Sequence, residues 1–104
     1  MTITKGDKMA RFSHGTFVMT AAVNDTAILS PGFAGFVRTC LNRHANCDWG
    51  DVDSEDKQTN DQALKDGSRL FSAYKAPAGS PEEKVWVITE WDRSVTTVLF
   101  PSDY

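Results

Sequence analysis

A serine followed by a proline, Ser30-Pro31, opens a run in which Phe33, Phe36, Val37, Cys40, Leu41 and His44 recur at helical spacing. Serine can cap the unbonded N–H groups of a helix start, and proline suits the first helical position because its missing N–H would have no partner there. The spacing gathers the six side chains on one stripe, which predicts an amphipathic helix from Pro31 to about Ala45. A stripe of that kind must be buried against a second layer. With 104 residues there is room for one modest core and not for two.

The C-terminal third supplies the second layer. Segments 69–75 (RLFSAYK), 84–91 (KVWVITEW) and 94–100 (SVTTVLF) are rich in β-branched and aromatic residues. The first two are separated by the turn composition APAGSP and the last two by Asp92-Arg93, and Pro101 stops the third. In 84–91 both alternating sets carry apolar groups, which suits a central strand. Residues 15–23 (GTFVMTAAV) read as a further strand, with Phe17, Met19 and Ala21 on one side and Asn24-Asp25 ending it. A second helix starts at Asp53 or Ser54 as cap, runs to about Lys65 and stops at Gly67, with only Ala63 and Leu64 as an apolar hold. The order is therefore β-α-α-β-β-β. It predicts an α+β domain over residues 15–104: a small antiparallel sheet, made of one N-terminal strand and a three-stranded meander, with two helices on one face. Residues 1–14 are polar and read as a flexible lead. A last strand left exposed before Pro101 would be open to pairing in a homodimer.

The functional signal lies in residues 48–66, DWGDVDSEDKQTNDQALKD. Asp48, Asp51, Asp53, Glu55, Asp56, Asp61 and Asp66 are half of the fourteen acidic residues and face only Lys57 and Lys65. This gives a balance of −5 inside a chain of net charge −3. Carboxylates strung along a loop and helix can stand in for phosphates on a basic, nucleic-acid-binding surface, with Trp49 as an aromatic anchor. The bland alternative is a solvated helix with Trp49 folded back onto the core. Overall acidity, with a pI near 5.2, argues against direct binding of DNA or RNA.

Three blocks, RHANCDWGDVDSED, NDQALKDGSRLFSAY and KVWVITEWDRSVTTVLFPSDY, resemble a family of small proteins encoded on bacterial plasmids, prophages and integrative elements. The resemblance covers about two thirds of the chain, from about Val37 to Tyr104. It brings no catalytic residues. It implies a habitat in which small acidic proteins inhibit host defence, as anti-CRISPR and anti-restriction proteins do.

Other constellations are weaker. Cys40, His44 and Cys47 have a zinc-like spacing, but Cys40 falls within the apolar stripe and a fourth ligand, Asp48 or His14, would have to be found. The DVDSED run lacks the glycine and distal glutamate of a calcium loop. His44 with Glu90, Arg93, Ser94 and Thr96 could serve a small ribonuclease-like toxin, the alternative reading, and a non-enzymatic interaction module of a plasmid is a further alternative. Trp86, Trp91, Phe71, Tyr74 and Phe100 read as core and sheet-face residues. No membrane span or secretory leader is visible, and two cysteines make no disulfide scaffold, so the bacterial cytoplasm is the expected compartment.

The expectation is thus a non-enzymatic inhibitor with no cofactor and no bound metal. It would bind a CRISPR effector or restriction enzyme through Asp48, Trp49, Asp51, Asp53, Glu55, Asp56 and Asp61.

Overall fold

In a computed structural model the chain is described over residues 12–104. The elements are β1 (Thr16–Met19), α1 (Ala21–Leu29), α2 (Pro31–Ala45), α3 (Ser54–Asp66), β2 (Leu70–Lys75), β3 (Lys84–Thr89) and β4 (Val95–Leu99), followed by a 3-10 turn at Pro101–Asp103. The class is α+β. The sheet runs β1-β4-β3-β2: β2, β3 and β4 form an antiparallel meander, and β1 pairs with β4 in parallel.

The long helix forms as the sequence dictates. Ser30 Oγ accepts from the Phe33 N–H, Pro31 occupies the first helical position, and Phe33, Val37, Cys40 and His44 are buried. Phe33, Val37 and Cys40 pack with Tyr74, Val85, Val87, Val98 and Phe100 from one face of the sheet, with Val23 of α1 completing this core, while the His44 ring meets Phe12 and Trp49.

Three expectations are corrected. The N-terminal strand ends at Met19, and Asn24-Asp25 lie inside a helix instead of breaking a strand. Thr20 turns the chain there: it is extended and its hydroxyl accepts from the Val23 N–H, while Ala21 and Ala22 favour helix. There are therefore three helices among the described residues, not two. The sheet is also mixed, because β1 returns to the meander beside β4 and in the same direction. Finally, β4 is an interior strand, so the last strand offers no edge for a second copy; the outer strands are β1 and β2. Of the expected flexible lead, residues 1–11 lie outside the described residues. Phe12 packs against the second core and the His14 carbonyl accepts from Thr96.

That second core holds Trp49, Val52, Ala63, Leu70 and Ala73. It lies where the 48–66 segment closes over the outer edge of β2. Trp49 O accepts from the Ala73 N–H, and Asp51 N–H donates to the Ala73 carbonyl. Two residues away, Asn60 Oδ1 accepts from the Phe71 N–H at 3.0 Å and its Nδ2 donates to the Phe71 carbonyl at 2.6 Å. Asp51 Oδ2 takes the Lys75 N–H at 3.1 Å. A strand edge that would otherwise template another strand is sealed by the chain's own acidic segment.

Candidate functional site: an acidic groove beside Trp86

Most carboxylates of the 48–66 segment have internal partners. Asp48 pairs with Arg43 through two contacts, 2.7 and 3.2 Å, and also accepts from the Gly50 N–H. Its hydrogen bond to Arg43 holds the carboxyl below the usual range. Asp53 caps α3 through the Asp56 N–H, Asp61 accepts from the Trp49 indole, and Asp66 accepts from Ser68. Trp49 is 4% exposed and lies in the second core, the position of the bland alternative. Glu55 and Asp56, in the first turn of α3, are exposed, and among the described residues their carboxylates make no hydrogen bond or ion pair.

The structure brings Asp51, Asp53 and Asp56 to one wall of a groove of about 660 Å³. The opposite wall is Glu82, Glu83 and Lys84, and the apolar floor includes Phe71 and Trp86. Asp48, Trp49, Glu55 and Asp61 do not line this groove. The two walls meet for a simple reason. The β2–β3 register pairs Lys75 with Lys84, so the residues just before Lys84 lie over the end of β2 whose Lys75 N–H is held by Asp51. Five carboxylates thus surround a floor that faces a single cation, Lys84.

Trp86 is half-buried and belongs to the sheet face that α1 and α2 do not cover. Its ring meets Phe71 edge-on at 5.1 Å and Tyr104 at 5.8 Å. A smaller hollow of about 320 Å³ continues past Trp86 to Ile88, Arg69 and Tyr104. Aromatic faces attract cations, and carboxylates at the rim add charge to that attraction, so the arrangement suits a guanidinium or ammonium group. Glu82, Glu83 and Trp86 were not anticipated as site residues. The Glu82-Glu83 pair directly before a strand was the available signal, and it needed the hairpin register to acquire meaning.

Of the residues of the enzymatic alternative, His44 and Thr96 are joined through Thr89 in the interior, and Glu90, Arg93 and Ser94 have partners of their own. His44 is fully buried. Its Nδ1 lies 2.6 Å from Ser72 Oγ and its Nε2 2.9 Å from Thr89 Oγ1. Thr89 Oγ1 is 2.7 Å from Thr96 Oγ1, which donates to the His14 carbonyl. A carbonyl only accepts, so Thr96 donates to His14, Thr89 to Thr96 and His44 Nε2–H to Thr89; in a neutral ring Nδ1 then accepts from Ser72. Neutral imidazole satisfies this arrangement, and burial pushes the His44 pKa down to about 3. Arg93 donates to the carbonyls of Ser68, Glu90 and Ala63, which terminates α3 with a cation at its negative end. Glu90 faces Arg69 at 3.9 Å, and Ser94 bonds to Asp92.

Cys40 lies in the first core with its thiol pKa pushed up to about 12 by burial. Cys40 and Cys47 are not joined in a disulfide. Among the described residues no three His, Cys, Asp or Glu side chains are grouped to hold a metal ion, and no helix is long and apolar enough to cross a membrane. No family model, curated protein or solved structure matches the chain.

Proposed function

We propose that this chain is a binding domain of a mobile genetic element that inhibits a bacterial defence nuclease, a CRISPR effector or a restriction enzyme, by occupying its basic nucleic-acid-binding surface. The observation that carries the reading is the groove in which Asp51, Asp53, Asp56, Glu82 and Glu83 surround Trp86. A basic surface presents arginines and lysines spaced for phosphates. Carboxylates on two walls can meet them, and an aromatic floor can hold one side chain by its face. Oppositely charged surfaces also speed encounter, which suits an inhibitor that competes with nucleic acid. His44, enclosed and neutral, gives the ribonuclease reading no support.

The reading is tested with the chain expressed in hosts that carry different CRISPR or restriction systems, with phage infection or plasmid uptake as readout. The expected result is restored infection in one class of host. The double substitution Asp56→Lys/Glu83→Lys should abolish that rescue, because neither carboxylate holds the fold. Asp51 and Asp53 are poorer targets: one seals β2 and the other caps α3, so reversing them would mix loss of binding with loss of structure. Absence of rescue in every host, or full rescue by the double variant, would remove the proposal.

A further inference from the structure

We propose that the aromatic hollow beside Trp86 takes an arginine side chain of the partner, in preference to a lysine, as the anchor of the contact. The inference rests on the groove being a contact for a basic surface, and it names the side chain that the aromatic walls select.

The hollow is walled by Phe71, Trp86, Ile88 and Tyr104, with Asp56 at the border it shares with the carboxylate groove. Phe71 and Ile88 are register partners on β2 and β3, and Trp86 stands two residues before Ile88, on the same face of the strand. Phe71 and Tyr104 meet the Trp86 ring at steep angles, 80° and 71°. Flanked by two rings yet only half-buried, the indole is a fixed platform for a flat group.

The chain makes the same kind of contact twice with its own arginines. Arg43 sets its guanidinium carbon 4.7 Å from the centre of the Tyr74 ring while donating to the Asp48 carboxylate. Arg69 lies 5.3 Å over the Tyr104 ring, with Glu90 3.9 Å away. Each arrangement combines a guanidinium, a ring and a carboxylate. At Trp86 the ring and the Asp56 carboxylate line one hollow, and among the described residues no cation lies over that ring. A partner arginine would supply the guanidinium.

Charge favours a cation here when every charged lining residue is counted. Asp51, Asp53, Asp56, Glu82 and Glu83 line the groove with Lys84, and the hollow adds Arg69, which already faces Glu90. The Asn60 amide, also in the hollow, is engaged by the Phe71 backbone. An ammonium would meet the same charge, so the choice between lysine and arginine falls to the aromatic walls. A guanidinium is planar and weakly hydrated, and it can lie on an indole while its edge donates two bonds to one carboxylate. An ammonium is compact and holds its water strongly.

The test uses the full chain and two labelled peptides, hexaarginine and hexalysine, followed by fluorescence anisotropy at one salt concentration. Hexaarginine should bind about fivefold more tightly. Trp86→Leu, with its fold checked by circular dichroism, should bring the two affinities together. Trp86→Phe, which keeps a ring, should retain part of the preference. In the unaltered chain N-acetyl-arginine amide should shift the indole N–H resonance of Trp86. That of Trp49, buried and bonded to Asp61, should stay in place, and this measurement decides the matter if Trp86→Leu does not fold. Equal binding of the two peptides, binding of neither, a preference that survives Trp86→Leu, or an unmoved Trp86 resonance overturns the inference. Phage rescue that persists beside any of those results removes the arginine anchor alone, whereas arginine preference without rescue in any host removes the inhibitor reading alone.

Discussion

The two outer strands of the sheet differ in almost every respect. β2 is sealed: its outward N–H and C=O groups are met by Trp49, Asp51 and Asn60, and its neighbours carry much of the negative charge. β1 is short, has no partner on its outer side among the described residues, and borders an apolar groove in which Arg38 is the one charged lining residue. The sealed edge shows that a strand boundary can be closed by a polar segment with little apolar area. α3 is held by buried Ala63 and by one amide, Asn60, that imitates a neighbouring strand. The acidic residues there have two roles. Some hold the backbone in place, and others remain available at the groove. The β1 edge is the reverse: its four side chains carry no charge, and among the described residues the outward backbone groups of Phe17 and Met19 have no partner.

One internal device reaches from one side to the other. The hydrogen-bonded chain through Ser72, His44, Thr89 and Thr96 starts on β2 and ends at the His14 carbonyl just before β1. Acidification should strain this link most. The unfolded chain takes up a proton at His44 near pH 6.5, whereas the folded chain resists until about pH 3. Stability present above pH 6.5 is therefore lost as pH falls toward 3, by as much as about 1.4 kcal/mol per unit. Urea unfolding across that window should show the loss, and His44→Gln should flatten its slope.

A second way to probe the contrast is to damage the seal. Gly50 has φ +73°, and a Cβ there would collide with the Ala73 carbonyl oxygen and crowd the Tyr74 ring. Gly50→Ala should cost roughly 3 kcal/mol, read as a lower urea midpoint, because backbone strain and a displaced edge contact act together. Smaller still should be Asn60→Ala, at about 2 kcal/mol, since it leaves the Phe71 N–H and C=O without their partner. Amide exchange at Phe71 should accelerate in that variant. If it does not, some group other than Asn60 seals the edge at Phe71.

The legible parts of the chain were those with local signals. Ser30-Pro31 marked α2, and Asp53 and Gly67 bounded α3 to within a residue. The meander followed from turn composition and Pro101. What escaped was whatever depended on distant partners. The start of α1 was hidden because Met19 and Ala21 continue the alternation of β1 across Thr20, and its cap became clear only from the turn. The parallel pairing of β1 leaves no mark in the sequence, since no turn joins it to β4. The same holds for the groove: Asp51, Asp53 and Asp56 were visible as a charged run, but Glu82, Glu83 and Trp86 joined them only through the hairpin register. Asn60 was legible in hindsight, three residues before Ala63 and therefore on the same helical face.

The position of β1 also sets an order of events. Thr16 pairs with Val95, a separation of 79 residues, whereas Lys75 and Lys84 are only 9 apart. Closing the long loop costs more chain entropy than closing the hairpin, and its reward is only four residues of pairing. The meander therefore assembles first, with β4 as a temporary rim, and β1 arrives last. Until it does, Thr96 has no His14 carbonyl to receive its proton, and the final acceptor of the buried hydroxyl chain is missing. Completion of the sheet and completion of its interior polar chain are the same kinetic step.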